Sequence, residues 1–374
     1  MACDVDYVLP LKWDAEQHAL GVEDLTEYLQ WLSGHARIIV VDGSPPALFL
    51  RHHQLWGEWV THIAPDPLPF RNGKVSGVHT GLRQAGSEAV VIADDDVRYD
   101  AGSLRRTVEL LSVGDLVGPQ NVFDPMPWHA AWDSARSLLN RAVAADYPGT
   151  YAVRRSVFWD MGGYDGDVLF ENLELMRSVR AYGGRIVRPR GIYVRRRPPS
   201  VAGFLSQRVR QAFDDVAQPW RLATVLPVLP TIASGPRGRR VVAAGLLASI
   251  VLAEAGRRRA GGADWFPARA SLLAPAWIAE RSVCSWLALA QRAFLGGVRY
   301  GGQRIAVAAH SNAQLRREAA ARRALVAPGG REAGAVGTVA ERLERGTPAA
   351  AQRDGVSLGV DLRPVHVGDP EPAA

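Results

Sequence analysis

Lysine is nearly absent from this 374-residue chain: Lys12 and Lys74 are the only two among 44 basic residues. A lysine at the start of a helical segment, as Lys74 is, therefore stands out from the background charge. Cysteine is as scarce, with only Cys3 and Cys284. Two cysteines so far apart, without ligand spacing, argue against a disulfide framework or a zinc site, and predict a reducing compartment. Uninterrupted apolar runs of about 20 residues, the length that spans a bilayer, are also missing. Residues 222–236 and 241–253 are uncharged and mostly apolar but short, and Arg237, Arg239 and Arg240 separate them. A third stretch, 270–295, is broken by Glu280, Arg281 and Arg292. This pattern predicts helices in a membrane interface, a tight hairpin or short spans with snorkelling arginines, with a soluble helical subdomain as the alternative. No internal repeat is visible.

What is present is a chain with 47% apolar residues, enough for one large catalytic unit and a smaller appendage. Its net charge of +6 is uneven, with Arg185, Arg188, Arg190, Arg195, Arg196, Arg197, Arg208 and Arg210 crowded into one segment. Tyr193 and Phe204 are too few aromatic residues for a nucleic-acid stacking platform, so no nucleic-acid partner is expected. A basic stretch just before apolar segments reads instead as a surface for anionic lipid headgroups.

The N-terminal half alternates strand and helix patterns. Residues 5–10 read as a first strand, 22–32 as a helix, and Ile38 to Asp42 as a second buried strand, followed by a polar, aromatic loop. Gly73-Lys74 then opens a helix over 75–85, and the apolar run Ala89 to Ala93 ends in Asp94-Asp95-Asp96. Alternation of this kind implies a parallel sheet with right-handed crossovers, whose ligands gather beyond the carboxyl ends of the strands. Three carboxylates there suit a hard divalent cation such as Mg²⁺ or Mn²⁺, which would neutralise a diphosphate. An isolated acidic turn is the plain alternative.

Val40-Val41-Asp42-Gly43-Ser44, Gly73-Lys74 and Asp94-x-Asp96, in this order and spacing, resemble the nucleotide-binding half of a family-2 inverting glycosyltransferase. Gly149 to Ser156, Gly162-Gly163-Tyr164-Asp165 and Glu171-Asn172-Leu173-Glu174-Leu175 resemble that family's acceptor side. The resemblance covers roughly residues 5–215 and rests on five ordered motifs. It implies an α/β, GT-A-type fold, a Rossmann-like mixed but mainly parallel sheet flanked by helices, followed by an apolar helical C-terminal region. The divisions it suggests are a catalytic domain over 1–218, a membrane-associated helical region over 219–315, and a basic helix with a disordered tail over 316–374. It also implies that Asp42 and Lys74 meet the nucleotide, Asp94 the nucleotide sugar, and Asp96 with Asp94 the metal. Asp95 occupies the variable middle position, expected to be exposed or one step removed from the ligand.

Two positions depart from the family pattern. Glu171-Asn172 stands where the family usually has Glu-Asp, whose Asp is the base that deprotonates the acceptor hydroxyl, and Asn cannot take a proton. Three explanations stay open: Glu171 is the base, the acceptor is already ionised as a lipid phosphate would be, or transfer is lost. Gln207-Arg208-Val209-Arg210-Gln211 partly resembles the Gln-x-x-Arg-Trp signature of membrane-associated members such as ceramide glucosyltransferases, with Gln211 in place of Trp. Gln207 and Arg210 would then share a helix face near the departing diphosphate. The expectation is a metal-dependent glycosyltransferase that takes a nucleotide-sugar donor and a lipid, polyprenyl-linked or glycan acceptor. With no signal peptide ahead of the first strand, its expected place is the cytoplasmic face of the plasma membrane. A nucleotide-sugar-binding protein without transferase activity is the alternative.

Overall fold

A computed structural model describes residues 4–326; the expected disordered tail, and Cys3, lie outside the described residues. The strands are β1 (Val5–Leu11), β2 (Arg37–Asp42), β3 (Thr61–Ile63), β4 (Ala89–Ala93), β5 (Val97–Arg98), β6 (Leu116–Val117), β7 (Gln120–Phe123), β8 (Thr150–Arg154), β9 (Ile186–Val187), β10 (Tyr193–Arg196), β11 (Val298–Tyr300) and β12 (Gln303–Ile305). Seven of them form one sheet in the order β3-β2-β1-β4-β8-β6-β9. Only β8 runs against the rest, pairing antiparallel with both β4 and β6. The sheet is thus mixed and mainly parallel.

Its central strands are buried on both faces, which is why their sequences read as apolar runs. Tyr7, Leu9, Ile38, Val40, Val91 and Ala93 pack on one side with the Ala15–Ser33 helix. Val8, Ile39, Val41, Val90 and Ile92 pack on the other with the Gly73–Gln84 and Glu171–Tyr182 helices. The Gly73–Gln84 helix approaches closely enough that a Cβ on Gly81 would come within 2.3 Å of Val8 Cγ1.

The segment after Asp42, expected as a loop, instead forms the Pro46–Trp56 helix and edge strand β3. Pro46 opens the helix at a position where its missing N–H costs nothing, and Leu48, His52 and Trp56 recur every four residues as its buried stripe. Histidine in that stripe hides the pattern from a hydrophobicity count.

A second sheet, β5-β10-β7, positions the chemistry. β5 begins one residue after Asp96 and pairs with β10 in the register Arg196↔Val97, while Arg197 N–H donates to the Asp96 carbonyl at 2.7 Å. The arginine run is therefore laid alongside the acidic turn.

The C-terminal helices close onto this framework. Pro236–Arg258 and Ala274–Leu295 pack against Trp128–Val143 through Leu138, Ala253, Phe266, Ala270 and Trp277. Arg141, fully buried, ties the layers together: it donates to Tyr193 Oη and the Arg259 carbonyl at 2.6 Å each, Gln120 Oε1 at 3.1 Å, and the carbonyls of Arg190 at 3.2 Å and Gly256 at 3.3 Å. Among the described residues no helix is both long and apolar enough to cross a membrane. The Pro236–Arg258 helix has an unusual distribution, burying Gly238, Ser249, Ala253 and Gly256 while Val241, Leu247 and Val251 are 66%, 66% and 72% exposed. The β11–β12 hairpin packs with Leu169, Phe213 and Cys284, and a final helix, Asn312–Val326, follows it.

Candidate functional site

β4 ends at Ala93, so Asp94, Asp95 and Asp96 emerge at the carboxyl edge of the sheet. Asp94 N–H donates to the Gly149 carbonyl at 3.0 Å. A Cβ on residue 149 would lie 2.5 Å from Asp94 Oδ2 and 3.1 Å from the Arg196 guanidinium carbon, so any other residue there would push these two side chains aside. Across the turn, Asn72 caps the Gly73–Gln84 helix, accepting from Lys74 N–H at 3.1 Å, and this aims Lys74 inward.

Five side chains then alternate in charge. Glu171 Oε1 is 2.6 Å from Lys74 Nζ, Lys74 Nζ is 2.5 Å from Asp94 Oδ1, and Arg196 is 3.1 Å from Asp94 Oδ2 and 2.6 Å from Asp96 Oδ2. Burial works against the Lys74 charge, but Asp94 and Glu171 outweigh it and hold the ammonium well above its usual pKa. Asp94 is likewise held down, since burial is overcome by Lys74 and Arg196. Asp96 goes the other way: burial, with Asp94 and Asp95 adding to it against Arg196, pushes its carboxyl up to about 6. Its Oδ1 is buried without a hydrogen-bond partner.

The facing wall begins with the helix of Glu171 and Asn172. Asn172 Nδ2 donates to the Pro148 carbonyl at 3.3 Å, which commits it to the backbone. Arg210 lies over the Tyr300 ring at 5.1 Å, and both lie within electrostatic reach of Asp94. Gln207 is spaced from this centre, at the junction of two short helices, where its Oε1 accepts from Gln211 Nε2 at 3.5 Å. Next in the chain is Asp214, whose carboxyl is pushed up to about 7 by burial, opposed by Arg210 and reinforced by Asp215 and Glu171.

The structure brings Lys74, Asp94, Asp96 and Glu171 together with Arg196, and places Arg210, Tyr300 and Asp214 within electrostatic reach; the sequence singles out neither Tyr300 nor Asp214. In the sequence Arg196 reads, with its neighbours, as part of a surface for anionic lipid headgroups that would also serve the donor pyrophosphate. In the structure Arg195 pairs with Asp124 at 3.1 Å, Arg197 with Asp24, and Arg208 with Asp133 at 2.7 Å, so much of that basic run is spent within the protein. The available signal for Tyr300 was Gly301-Gly302, whose positive φ angles turn the β11–β12 hairpin.

Asp42 and Asp95 face elsewhere. The Asp42 side chain is 0% exposed, with Oδ1 accepting Ser44 N–H at 2.8 Å and Oδ2 placed 2.6 Å from His52 Nδ1 and 3.2 Å from His62 Nε2. Burial is outweighed by these hydrogen bonds, which hold the carboxyl well below the usual range. A nucleotide would reach Asp42 only if the imidazoles moved aside. Asp95 accepts from the Trp13 indole N–H, one step away from the cluster.

A divalent cation fits the acidic turn in one specific respect: Asp96 Oδ1 offers a buried lone pair that nothing in the protein uses. Asp94 has both oxygens engaged, so a cation shared with it would compete with Lys74 or Arg196.

No family model and no curated protein matches the chain. Solved structures do resemble it. One is a mannosyltransferase from Pyrobaculum calidifontis in complex with GDP-mannose and Mn²⁺, 18% identical with a TM-score of 0.44 over 76% of this chain and 88% of that one. Another is glucosyl-3-phosphoglycerate synthase from Mycobacterium tuberculosis in complex with Mn²⁺, UDP and phosphoglyceric acid, 18% identical with a TM-score of 0.40 over 57% of this chain and 77% of that one. Likeness at this level assigns no role to any residue here.

Proposed function

We propose that this chain is a GT-A-type inverting glycosyltransferase that moves a sugar from a nucleoside-diphosphate donor to an acceptor presented at a membrane surface, on the cytoplasmic side. The observation that carries the reading is the alternating cluster Glu171, Lys74, Asp94, Arg196 and Asp96 at the carboxyl edge of the sheet, because it offers cations for a diphosphate and carboxylates for a sugar in one place. Arg196 and Arg210 bind the leaving diphosphate, and Lys74 bridges Asp94 and Glu171. Bound Mg²⁺ or Mn²⁺, taken by Asp96 with Asp94, would supply charge compensation as the leaving group departs. Attack from the face opposite the diphosphate inverts the anomeric centre.

The proton of the acceptor has two takers. Glu171 already accepts from Lys74, while Asp214, with a pKa raised to about 7, is poised to exchange a proton near neutral pH. We take Asp214 as the base, because it lies within electrostatic reach of Arg210 and Glu171 while the Glu171 carboxylate is paired with Lys74. A second reading, donor binding without transfer, draws on Asn172 being tied to the Pro148 carbonyl.

Incubating the full chain with UDP- and GDP-sugars and Mg²⁺ or Mn²⁺ separates these readings. Transfer to water should release free sugar and nucleoside diphosphate, with a rate that climbs as pH rises through about 7, because only the deprotonated Asp214 accepts a proton. Asp214→Asn should flatten that rise and cost about 10²-fold. A larger loss in Glu171→Gln with the pH rise intact in Asp214→Asn would make Glu171 the base. Binding without turnover favours the second reading, and no binding by any donor removes both.

The membrane part of the proposal is supported by the Pro236–Arg258 helix, which turns large apolar side chains outward next to Arg237, Arg239 and Arg240. Leu247→Glu combined with Val251→Glu should abolish sedimentation with anionic liposomes. Both positions are exposed, so the fold should tolerate the change. Sedimentation equal to that of the unaltered chain would remove this face from membrane contact.

A further inference from the structure

The sealed environment of Asp42 is not needed by the sugar-transfer proposal, and it has the makings of a second site. Asp42 ends β2, His62 is in neighbouring β3, and His52 comes from the Pro46–Trp56 helix, so three separate elements converge. One ligand atom from each lies within 4.8 Å of the others, and all three side chains are 0% exposed.

Three observations distinguish this cluster from ordinary buried polar packing. Each histidine presents one ring nitrogen to the centre and has the other held by a further histidine: His52 Nε2 is 2.9 Å from His18 Nδ1, and His62 Nδ1 is 3.2 Å from His53 Nδ1. Such outer hydrogen bonds fix the tautomer and ring orientation of metal-binding imidazoles. Both rings are also locked by aromatic neighbours, Trp56 stacking on His52 at 4.8 Å and Phe49 lying 4.6 Å from His62. Finally, among the described residues no lysine or arginine pairs with Asp42, so a buried carboxylate lacks a cationic side chain. Its partners are the two imidazoles and the Ser44 N–H alone, and a bound cation would supply the full positive charge that these donors lack.

We propose that Asp42, His52 and His62 hold a divalent transition cation of the zinc class, with a water molecule as the fourth ligand, in a site separate from the Asp94–Asp96 turn. Imidazole nitrogen selects Zn²⁺ or Co²⁺ over Mg²⁺, whereas the all-carboxylate turn prefers the harder ions. Bonds of about 2.0–2.2 Å require the ligand atoms to spread to roughly 3.3 Å apart, so Asp42 Oδ2 and His52 Nδ1, now at 2.6 Å, must open by less than about 1 Å. Proton balance is simple. With His52 Nδ1–H and His62 Nε2–H moved to their outer nitrogens, His18 and His53 must each move their own Nδ1 proton to Nε2, so that His18 Nδ1 and His53 Nδ1 become acceptors. Two paired tautomer shifts free the inner nitrogens for the cation, and no net proton leaves the protein. The bound ion pins the Pro46–Trp56 helix to the β2–β3 edge.

The test uses the full chain, purified without a histidine tag and stripped with chelator. Zn²⁺ titrated by calorimetry under saturating Mg²⁺ should bind at one equivalent, and Co²⁺ should give the intense visible absorption of a four-coordinate site rather than the weak bands of an oxygen-ligated octahedral one. His52→Gln and His62→Gln should each weaken Zn²⁺ binding by at least about 10²-fold. If either variant fails to fold, the Co²⁺ spectrum of the unaltered chain decides. Failure to bind Zn²⁺, an octahedral Co²⁺ spectrum, or equal Zn²⁺ binding in both folded variants overturns the site and leaves a carboxylate hydrogen-bonded to two imidazoles. None of these outcomes depends on donor turnover.

Discussion

Arg141→Met is expected to lower the stability of the folded chain by about 1–3 kcal/mol, the scale for leaving buried acceptors without their donor. Methionine fills much of the arginine stem's volume, so the loss reports the guanidinium rather than a cavity. That group is fully buried and reaches β7 through Gln120, β10 through Tyr193, and the end of the Pro236–Arg258 helix through the Gly256 and Arg259 carbonyls. Without it these acceptors keep their desolvation cost and lose their donor. Denaturant unfolding should show the midpoint moving down. A change under about 1 kcal/mol would mean that the layers are held together by the apolar contacts around Leu138, Ala253 and Phe266 alone.

The second large effect is expected at Asp96→Ala, which should remove divalent-dependent donor binding and cut turnover by about 10³-fold, the several kcal/mol that a lost charge-stabilising ligand costs. Two consequences combine there. The free Oδ1 is lost as a cation ligand, and Arg196, 2.6 Å from Asp96 Oδ2, loses the acid that orients it. Asp95→Ala should matter little to turnover, because that carboxylate is spent on Trp13. Calorimetry with the donor would exclude Asp96 from the site if affinity in Asp96→Ala were unchanged while the metal was still required.

The parts of this structure legible in the sequence are those where one physical demand dominates. β1, β2 and β4 are sealed on both faces and so read as apolar runs, and the carboxylates after β4 follow from the rule that such sheets bind ligands at that edge. β6 and β9, at two residues each, are too short to show any periodicity. β8 reverses direction between β4 and β6, and apolar content carries no information about direction. Arg196 was hidden because neighbouring arginines look alike in sequence, and only the β5–β10 register tells the one facing Asp96 from those facing Asp24 and Asp124. His52 and His62 were hidden for another reason: ten residues apart, on a helix and a strand, they match no ligand spacing, and the β2–β3 pairing creates their proximity.

The β5–β10 pairing also sets a schedule for biosynthesis. Asp96 and Arg196 are separated by 100 positions, so the acidic turn leaves the ribosome well before the guanidinium that pairs with it. A nascent chain that ends between them has Lys74 to pair with Asp94 but lacks Arg196 for Asp96, beside an unpaired β5. Translation must pass β10 to neutralise the turn, and must continue to the β11–β12 hairpin before Tyr300 can cover Arg210. The strands of the main sheet all precede residue 188, whereas Tyr300, which covers Arg210, comes more than a hundred residues later, so the α/β half and the full set of site residues are synthesised at different times.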